Sequence, residues 1–340
     1  MSGMADGRGQ MRLARTIVAC GLLALVGLFC AGSTSWAEQP RLVVRIGVQP
    51  NILPDVILRA RKTLESKYGD RYDFQWIDTT HAGAAIEAMV AGSMDITDAA
   101  ALPLIQAAER GLKIWAVADS IGDVVGIAVR TDSGIQSPSD LAGKTLAYPG
   151  KGSLQYALIE LALAGTNVKL SDLKLVRAGF ADMPLLIKRK AIDGFSGAEP
   201  FLSYVLADGE AKLLFRPSSV LQQKEGTMIV GAIGVRSEFA KAHPDALKAF
   251  LTEFQNASRS IKSDPDGAAE IFSGVFPGVV TKNSFNYAVN HGLVYFKDVK
   301  PRKEDWQKFI EFSNKAGLTK IDDPAAFLER FLHPEFAADQ

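Results

Sequence analysis

The feature that most constrains this chain is a layout it uses twice: Asp95 and Asp193 stand 98 residues apart, and so do Gly111 and Gly209. Around each pair, short β-branched runs alternate with longer stretches of helical period, the pattern of α/β folds. In the first half, Leu42-Val-Val-Arg-Ile-Gly-Val48, Asp73-Phe-Gln-Trp-Ile77, Met94-Asp95-Ile96 and Lys113-Ile-Trp-Ala-Val-Ala118 read as strands. Helices are expected near 56–67, from Ala84 to Gly92 and from Leu102 to Gly111, each of the last two ending on a glycine suited to a C-cap. The second half repeats this with Lys144-Thr-Leu-Ala-Tyr148, a helix from Ser153 to Ala164, Leu173-Lys-Leu-Val176, Ala191-Ile-Asp193 and Lys212-Leu-Leu-Phe215. Identity between the halves is low, so the repeat is one of layout and points to two similar α/β lobes.

Gly126-Ile-Ala-Val-Arg130 and Ala232-Ile-Gly-Val-Arg236 are nearly the same segment written twice, and they read as inter-lobe crossings within 124–131 and 227–236. The remaining tail is helical: Pro244 to Ser260, Asp266 to Phe272, Ser284 to Gly292, Lys303 to Ala316 and Pro324 to Phe331. Two crossings return it to the first lobe. The expected organisation is a signal segment at 1–37, a first lobe of 38–126 plus 234–340, and a second lobe of 127–233 that includes the hinge. The fold class is α/β, with two lobes, a two-strand hinge and a helical C-terminal segment on the first lobe.

The N-terminus has the three parts of a cleavable export signal: Arg8, Arg12 and Arg15, an apolar run from Thr16 to Ala31, and small residues at Ser35-Trp36-Ala37. The run is shorter than the roughly 18 apolar residues of a membrane span. Cleavage after Ala37 removes both cysteines, Cys20 and Cys30, and leaves 35 basic against 37 acidic residues. That balance gives no support to nucleic-acid binding, and the cysteine-free chain has no disulfide or thiol chemistry. Localisation in the periplasm is expected.

Open α/β sheets bind ligands beyond the carboxyl ends of their strands, so the loops there are the candidate site. Gln49 and Asn51 follow the first strand, where they either present amides to a cleft or form an ordinary turn. Thr79, Thr80 and His81 follow the second, where hydroxyls ahead of a helix suit an anion or cap the helix. Asp98 and Ala99 follow the third; Asp98 either orients an amine or caps a helix. In the second half Gly150-Lys151-Gly152-Ser153 joins a strand to a helix with convergent N–H groups and a positive charge, without the full nucleotide P-loop pattern. Phe180 and Glu199 complete that rim, Glu199 as a partner for a ligand amine or as a hinge charge. No histidine pair has metal-ligand spacing, and no catalytic constellation, metal or cofactor is implied.

The run Ala88-Met-Val-Ala-Gly92-Ser-Met-Asp95-Ile, with Pro103-Leu-Ile-Gln-Ala-Ala108 and Gly111, resembles the first lobe of periplasmic solute-binding proteins of the taurine, alkanesulfonate and nitrate ABC-importer group. Ile127-Ala-Val-Arg-Thr-Asp-Ser-Gly-Ile135, Pro138-Ser-Asp-Leu-Ala-Gly-Lys144, Gly150-Lys-Gly-Ser153 and Ala198-Glu-Pro200 resemble the second, and His243-Pro-Asp-Ala-Leu-Lys-Ala-Phe250 its return helix. The resemblance implies a type II bilobed fold that closes on a small ligand and docks to an ABC permease in the inner membrane, and a monomer is expected. It places Gln49, Thr79, Thr80, His81, Asp98, Ala99, Gly152, Ser153 and Glu199 at the cleft. Two departures stand out: Ala198 where the group often has an aromatic residue, and Asp98 where it has a neutral one. An extra carboxylate argues against a bare anion such as nitrate.

The expected ligand is a small organic anion, with sulfonates or taurine first, and a pyrimidine or thiamine precursor as the alternative. The same fold resembles fungal thiamine-pyrimidine synthases, which use pyridoxal phosphate and a cysteine-rich motif; a chain without cysteine does not fit them. A receptor that serves a sensor instead of an importer stays open.

Overall fold

Strands that alternate with helices build two separate sheets, because each helix carries the chain back to start another strand in the same direction. The computed structural model describes residues 40–49, 51–79, 81–151, 153–218, 228–296 and 300–337. The signal segment 1–37, Thr80 and Gly152 lie outside them. The chain divides between Arg41 and Leu42, and both sheets belong to the unit that begins at Leu42.

The first sheet is ordered β11-β4-β10-β3-β1-β2, from β1 (Leu42–Val48), β2 (Tyr72–Asp78), β3 (Ile96–Ala100), β4 (Ile114–Gly122), β10 (Ile229–Arg236) and β11 (Tyr295–Phe296). The second is ordered β7-β6-β8-β5-β9, from β5 (Val125–Arg130), β6 (Thr145–Tyr148), β7 (Lys174–Arg177), β8 (Gly194–Ala198) and β9 (Ala211–Phe215). In each, three strands run parallel and one antiparallel strand follows: β2-β1-β3 then β10, and β7-β6-β8 then β5. The sheets therefore share one strand order, as the repeated layout leads one to expect.

Between the strands lie α1 (Pro54–Arg61), α2 (Thr63–Tyr68), α3 (Ala82–Val90), α4 (Ala101–Glu109), α5 (Leu154–Leu163), α6 (Met183–Lys188) and α7 (Phe201–Ala207). The single helix expected over 56–67 is broken at Lys62, whose φ of 50° is left-handed. Gly111 and Gly209 follow helices with φ of 86° and 73°, a conformation that costs a residue with a Cβ. A larger difference concerns β3. The short run Met94-Asp95-Ile96 becomes a strand from Ile96 to Ala100, so Asp98 and Ala99 lie inside the sheet and not in a loop after it. Pairing with β1 on one side and β10 on the other overrides the weak strand preference of its alanines.

The segments read as crossings each lie within one sheet, β5 in the second and β10 in the first. The chain's two passages meet just ahead of them: Asp123 N–H donates to Met228 O at 3.1 Å, and Met228 N–H donates to Asp123 Oδ1 at 3.2 Å. Beyond β10 come α8 (Ser237–Ala242), α9 (Pro244–Ser263), α10 (Pro265–Val275), α11 (Lys282–Asn290), α12 (Lys303–Lys315) and α13 (Pro324–Phe331). The 20-residue α9 buries its apolar face on α1 and α2, and α13 packs on β4 and α4, so most of this tail covers the first sheet. By contrast, α11 packs on α7, beside the second sheet. Arg216 there donates to Gly292 O at 2.6 Å and to His291 O at 3.3 Å.

At the base of each sheet one aspartate ties three strands. Asp95 accepts from Arg45 N–H at 2.9 Å and from Arg236 Nη2 at 2.6 Å, while Asp193 accepts from Thr145 N–H at 2.9 Å and from Arg130 Nη2 at 3.4 Å. The Asp95 side chain is 1% exposed and that of Asp193 26%, and Arg130 has a second partner in Asp132. Arg45 and Arg236 stay partly exposed when Asp95 is removed, and Arg236 keeps Glu238 at 3.8 Å, so the loss is mainly of charged hydrogen bonds, about 1.5–3 kcal/mol. Asp95→Ala should therefore lower unfolding free energy by about that amount in urea titrations, and Asp193→Ala, at a more exposed carboxylate, by less.

Candidate functional site

The loops that follow parallel strands lie at the carboxyl ends of the two sheets. Gln49 and Asn51 follow β1, Thr79 and His81 follow β2, Gly150, Lys151 and Ser153 follow β6, Phe180 follows β7 and Glu199 follows β8. Asp98 and Ala99 stand within β3.

In the second sheet, the turn after β6 is closed on itself. Gly150 has φ of 155°, and its carbonyl accepts from Ser153 Oγ at 2.7 Å. Ser153 Oγ in turn accepts from Tyr156 N–H at 3.2 Å, so the serine caps α5. Capping leaves the N–H groups of Leu154 and Gln155, in the first turn, without acceptors inside the helix. Lys151 is exposed, and Phe180 is half-buried. Sequence reasoning missed Arg177: from the end of β7 its Nε donates to Pro149 O at 3.1 Å, which places a guanidinium beside Gly150. Its signal was a basic residue closing a strand next to a glycine turn.

The first sheet also buries carboxyls near its strand ends. Exposed His81 caps α3 by accepting from Ala84 N–H at 3.2 Å, and Thr79 Oγ1 donates to Val48 O at 3.3 Å. Capping at this turn thus falls to His81 itself. Gln49 Nε2 donates to Asp98 O at 2.9 Å. The Asp98 carboxyl is fully buried; Oδ1 accepts from Ser120 Oγ at 2.8 Å, and Oδ2 has no hydrogen-bond partner. Gly231 makes room for this, since a Cβ there would stand 2.5 Å from Ser120 Oγ. Asp55, at the start of α1, was not singled out from the sequence. It is also fully buried, with Oδ1 accepting from Val56 N–H at 2.9 Å and Oδ2 unpartnered. A charged residue inside Ile52-Leu-Pro-Asp-Val-Ile-Leu58 was the signal available. Burial pushes the Asp55 carboxyl up to about 7; burial, and then the charge of Asp55, pushes Asp98 well above the usual carboxylate range.

Glu199 hangs from the passage into the second sheet, its N–H donating to Val124 O at 2.8 Å. Its Oε2 accepts from Ser203 N–H at 3.2 Å, Oε1 is unpartnered, and burial raises its pKa to about 7. Beside the first sheet's strand ends lies a cavity of ≈ 650 Å³, walled by Val48, Gln49, Val56, Ala60, Thr79, Ile271 and Val275 and bordered by the ion-paired Arg59 and Asp78. That volume suits a small ligand with an apolar part. No cluster among the described residues has the His, Cys, Asp and Glu needed to hold a metal ion.

Residues 73–268 match the protein-family model described as NMT1/THI5 like. Over 313 residues the chain is 24% identical to a Bacillus subtilis (strain 168) protein named for binding aliphatic sulfonates, covering 89% of this chain and 92% of that one. It is 25% identical over 225 residues to the taurine-binding periplasmic protein of Escherichia coli (strain K12), covering 66% and 68%. The periplasmic aliphatic sulphonate binding protein SsuA from Escherichia coli has the same fold, with a TM-score of 0.71 at 19% identity over 85% of this chain and 92% of that one. The periplasmic nitrate-binding protein NrtA from Synechocystis PCC 6803 shares it at a TM-score of 0.65 and 16% identity, covering 87% of each.

A buried carboxyl whose pKa is raised keeps its proton in the folded state where the unfolded chain releases it. Through Asp55 and Glu199, stability should therefore fall as pH rises from about 4 through about 7. A shift of Glu199 from 4.5 to about 7 corresponds to a change on the order of 3 kcal/mol. Urea midpoints measured from pH 4 to pH 8 should show this decline, and Glu199→Gln, which keeps the acceptor for Ser203, should make it shallower.

Proposed function

The chain belongs to the NMT1/THI5-like family, and from that premise we propose that it is the extracytoplasmic solute-binding receptor of an ABC importer, closing on a small organic anion of the sulfonate class, taurine included. The observation that carries the anion is the capped start of α5. Ser153 spends its hydroxyl on Gly150 O and Tyr156 N–H, and the first-turn N–H groups are left to a negatively charged oxygen with Arg177 and Lys151 alongside. Aligned peptide dipoles and unpaired N–H groups favour an anion at such a terminus. The names of the Bacillus and Escherichia relatives support the same class.

The receptor works by closure. A ligand held by both sheets' strand-end loops makes more contacts when the lobes approach, and only that difference in free energy can shift the open-to-closed equilibrium. The passages joined at Asp123 and Met228 are the short segments able to take up the rotation. The closed form then docks to a permease in the inner membrane, and the N-terminal signal delivers the receptor to the periplasm. Among the described residues no helix is long and apolar enough to cross a membrane.

A solute that binds only the folded chain stabilises it by about 2.7 kcal/mol at a hundred times its Kd. Thermal-shift screening of the purified chain without residues 1–37 should give a rise of several degrees with short alkanesulfonates or taurine. Shifts confined to uncharged compounds, with none from sulfonates, would sink the anion reading.

A further inference from the structure

Two helices of the C-terminal tail reach from the first lobe to the second. The chain departs at Asp264, whose side chain accepts from Gly267 N–H at 2.9 Å and so caps α10 as a helix separate from α9. It returns at Gly292, which follows α11 with a φ of 60°, and at Tyr295 it pairs with Gly122 at the end of β4. Gly122 adjoins Asp123, so the return lies beside the passage between the lobes. Between these joints α10 packs on α1 and α9, and α11 packs on α7. The pair therefore touches both lobes while belonging to neither sheet.

The two sets of contacts are unequal. Toward the second lobe, Arg216, just after β9, donates from Nη1 to Gly292 O at 2.6 Å and from Nη2 to His291 O at 3.3 Å. A cation at the end of α11 meets the negative pole of the helix and carbonyls that have no acceptor role inside it. Phe201, at the start of α7, meets Phe276 edge to face at 5.9 Å and ties the end of α10 to the same lobe. Phe272 and Phe285, both buried, pack with ring centres 5.3 Å apart and join α10 to α11 as one body. Toward the first lobe, α10 meets α1 beside the ≈ 650 Å³ cavity, with Ile271 and Val275 on one wall and Val56 and Ala60 on another. Side chains that face a void lack partner atoms there, so this contact yields at the least cost. Packed helices slide past one another by about 1–2 Å where such room exists.

We propose that α10 and α11 form a strap that moves with the second lobe: when the lobes rotate, the strap keeps its hold on Arg216 and Phe201 while α10 slides over α1 and takes up the cavity. The proposal rests on the closure reading and goes beyond it by making one wall of a first-lobe cavity a moving part. Gln49 and Thr79 line the same cavity, so a change in lobe angle reaches the loops after β1 and β2 through α10 as well as through the hinge.

The chain from residue 38 onward has no cysteine, so spin labels can be placed in chosen pairs. Double electron–electron resonance reads three distances, using exposed positions on α3, α5 and α11. Glu87→Cys with Glu160→Cys gives lobe to lobe, Asn283→Cys with Glu87→Cys gives strap to first lobe, and Asn283→Cys with Glu160→Cys gives strap to second lobe. Lobe movement is driven in two independent ways: by saturating taurine or ethanesulfonate, and without ligand by Asp123→Gly. The latter removes the bond from Met228 N–H and frees a hinge residue whose φ is 56°. In both cases the strap-to-first-lobe distribution should change together with the lobe-to-lobe one, and the strap-to-second-lobe distribution less than a third as much. Arg216→Ala, in the unliganded protein, should broaden the strap-to-second-lobe distribution and leave the strap-to-first-lobe one no broader. Circular dichroism checks the folding of each variant, and the Arg216→Ala comparison decides the matter if Asp123→Gly unfolds and no sulfonate binds. A strap that holds its distance to the first lobe while the lobes move, or no response to Arg216→Ala, overturns the strap and leaves the receptor reading standing. Lobes that respond to Asp123→Gly with the strap following the second lobe, but not to either sulfonate, leave the strap standing and remove the sulfonate reading. Three distances unchanged under every condition overturn both.

Discussion

Each sheet hangs on one aspartate at its base. Asp95 and Asp193 accept from the backbone of the central parallel strand and from an arginine that closes the antiparallel strand beside them, so β1, β3 and β10 are pinned together in one sheet and β6, β8 and β5 in the other. The backbone repeats the bond in both places: Arg236 N–H donates to Asp95 O and Arg130 N–H to Asp193 O, each at 2.9 Å. These contacts fix the strand starts, and so determine where the opposite, carboxyl ends project their loops. The geometry of the site depends on that registration, because a parallel strand shifted by one residue turns its side chains to the other face.

Fixed ends set the chemistry at the strand ends of the two sheets. At one, a serine-capped helix start lies near Arg177 and Lys151; at the other, two carboxyls are buried without a salt bridge among the described residues. Keeping unpaired carboxyls in the interior lowers stability at neutral pH, a cost that a packed apolar pair would avoid. Glu199, also buried and raised to about 7, sits where the chain enters the second sheet, bonded through its N–H to Val124 O.

Much of this could be read along the chain. The two aspartates at equal spacing, the Gly-Val-Arg and Ala-Val-Arg endings at Arg236 and Arg130, and the glycines that end helices all depend on local chemistry: a left-handed residue needs no Cβ, and a strand needs a run of β-branched residues. Five of the tail helices were legible because their apolar stripes recur at helical period over a full turn or more. The capping role of Ser153 was legible for the same local reason. Asp55 was not, because a lone acid after Pro54 at a helix start is what any solvated helix displays, and only burial distinguishes it. Arg177 escaped because its contact with Pro149 bridges two strands 28 residues apart.

By itself, then, the sequence determined the α/β class, the doubled layout and the set of strand-end loops, all of which follow from periodicity and from residues with restricted backbones. Tertiary structure alone decided three things. Asp98 is a strand residue because β1 and β10 pair with its strand on both sides; α11 leaves the first sheet to pack on α7; and Asp55 and Asp98 are each fully buried with an oxygen left unpartnered. Each of these is a relation between residues far apart in the chain, set by sheet pairing and burial, and no local propensity carries it.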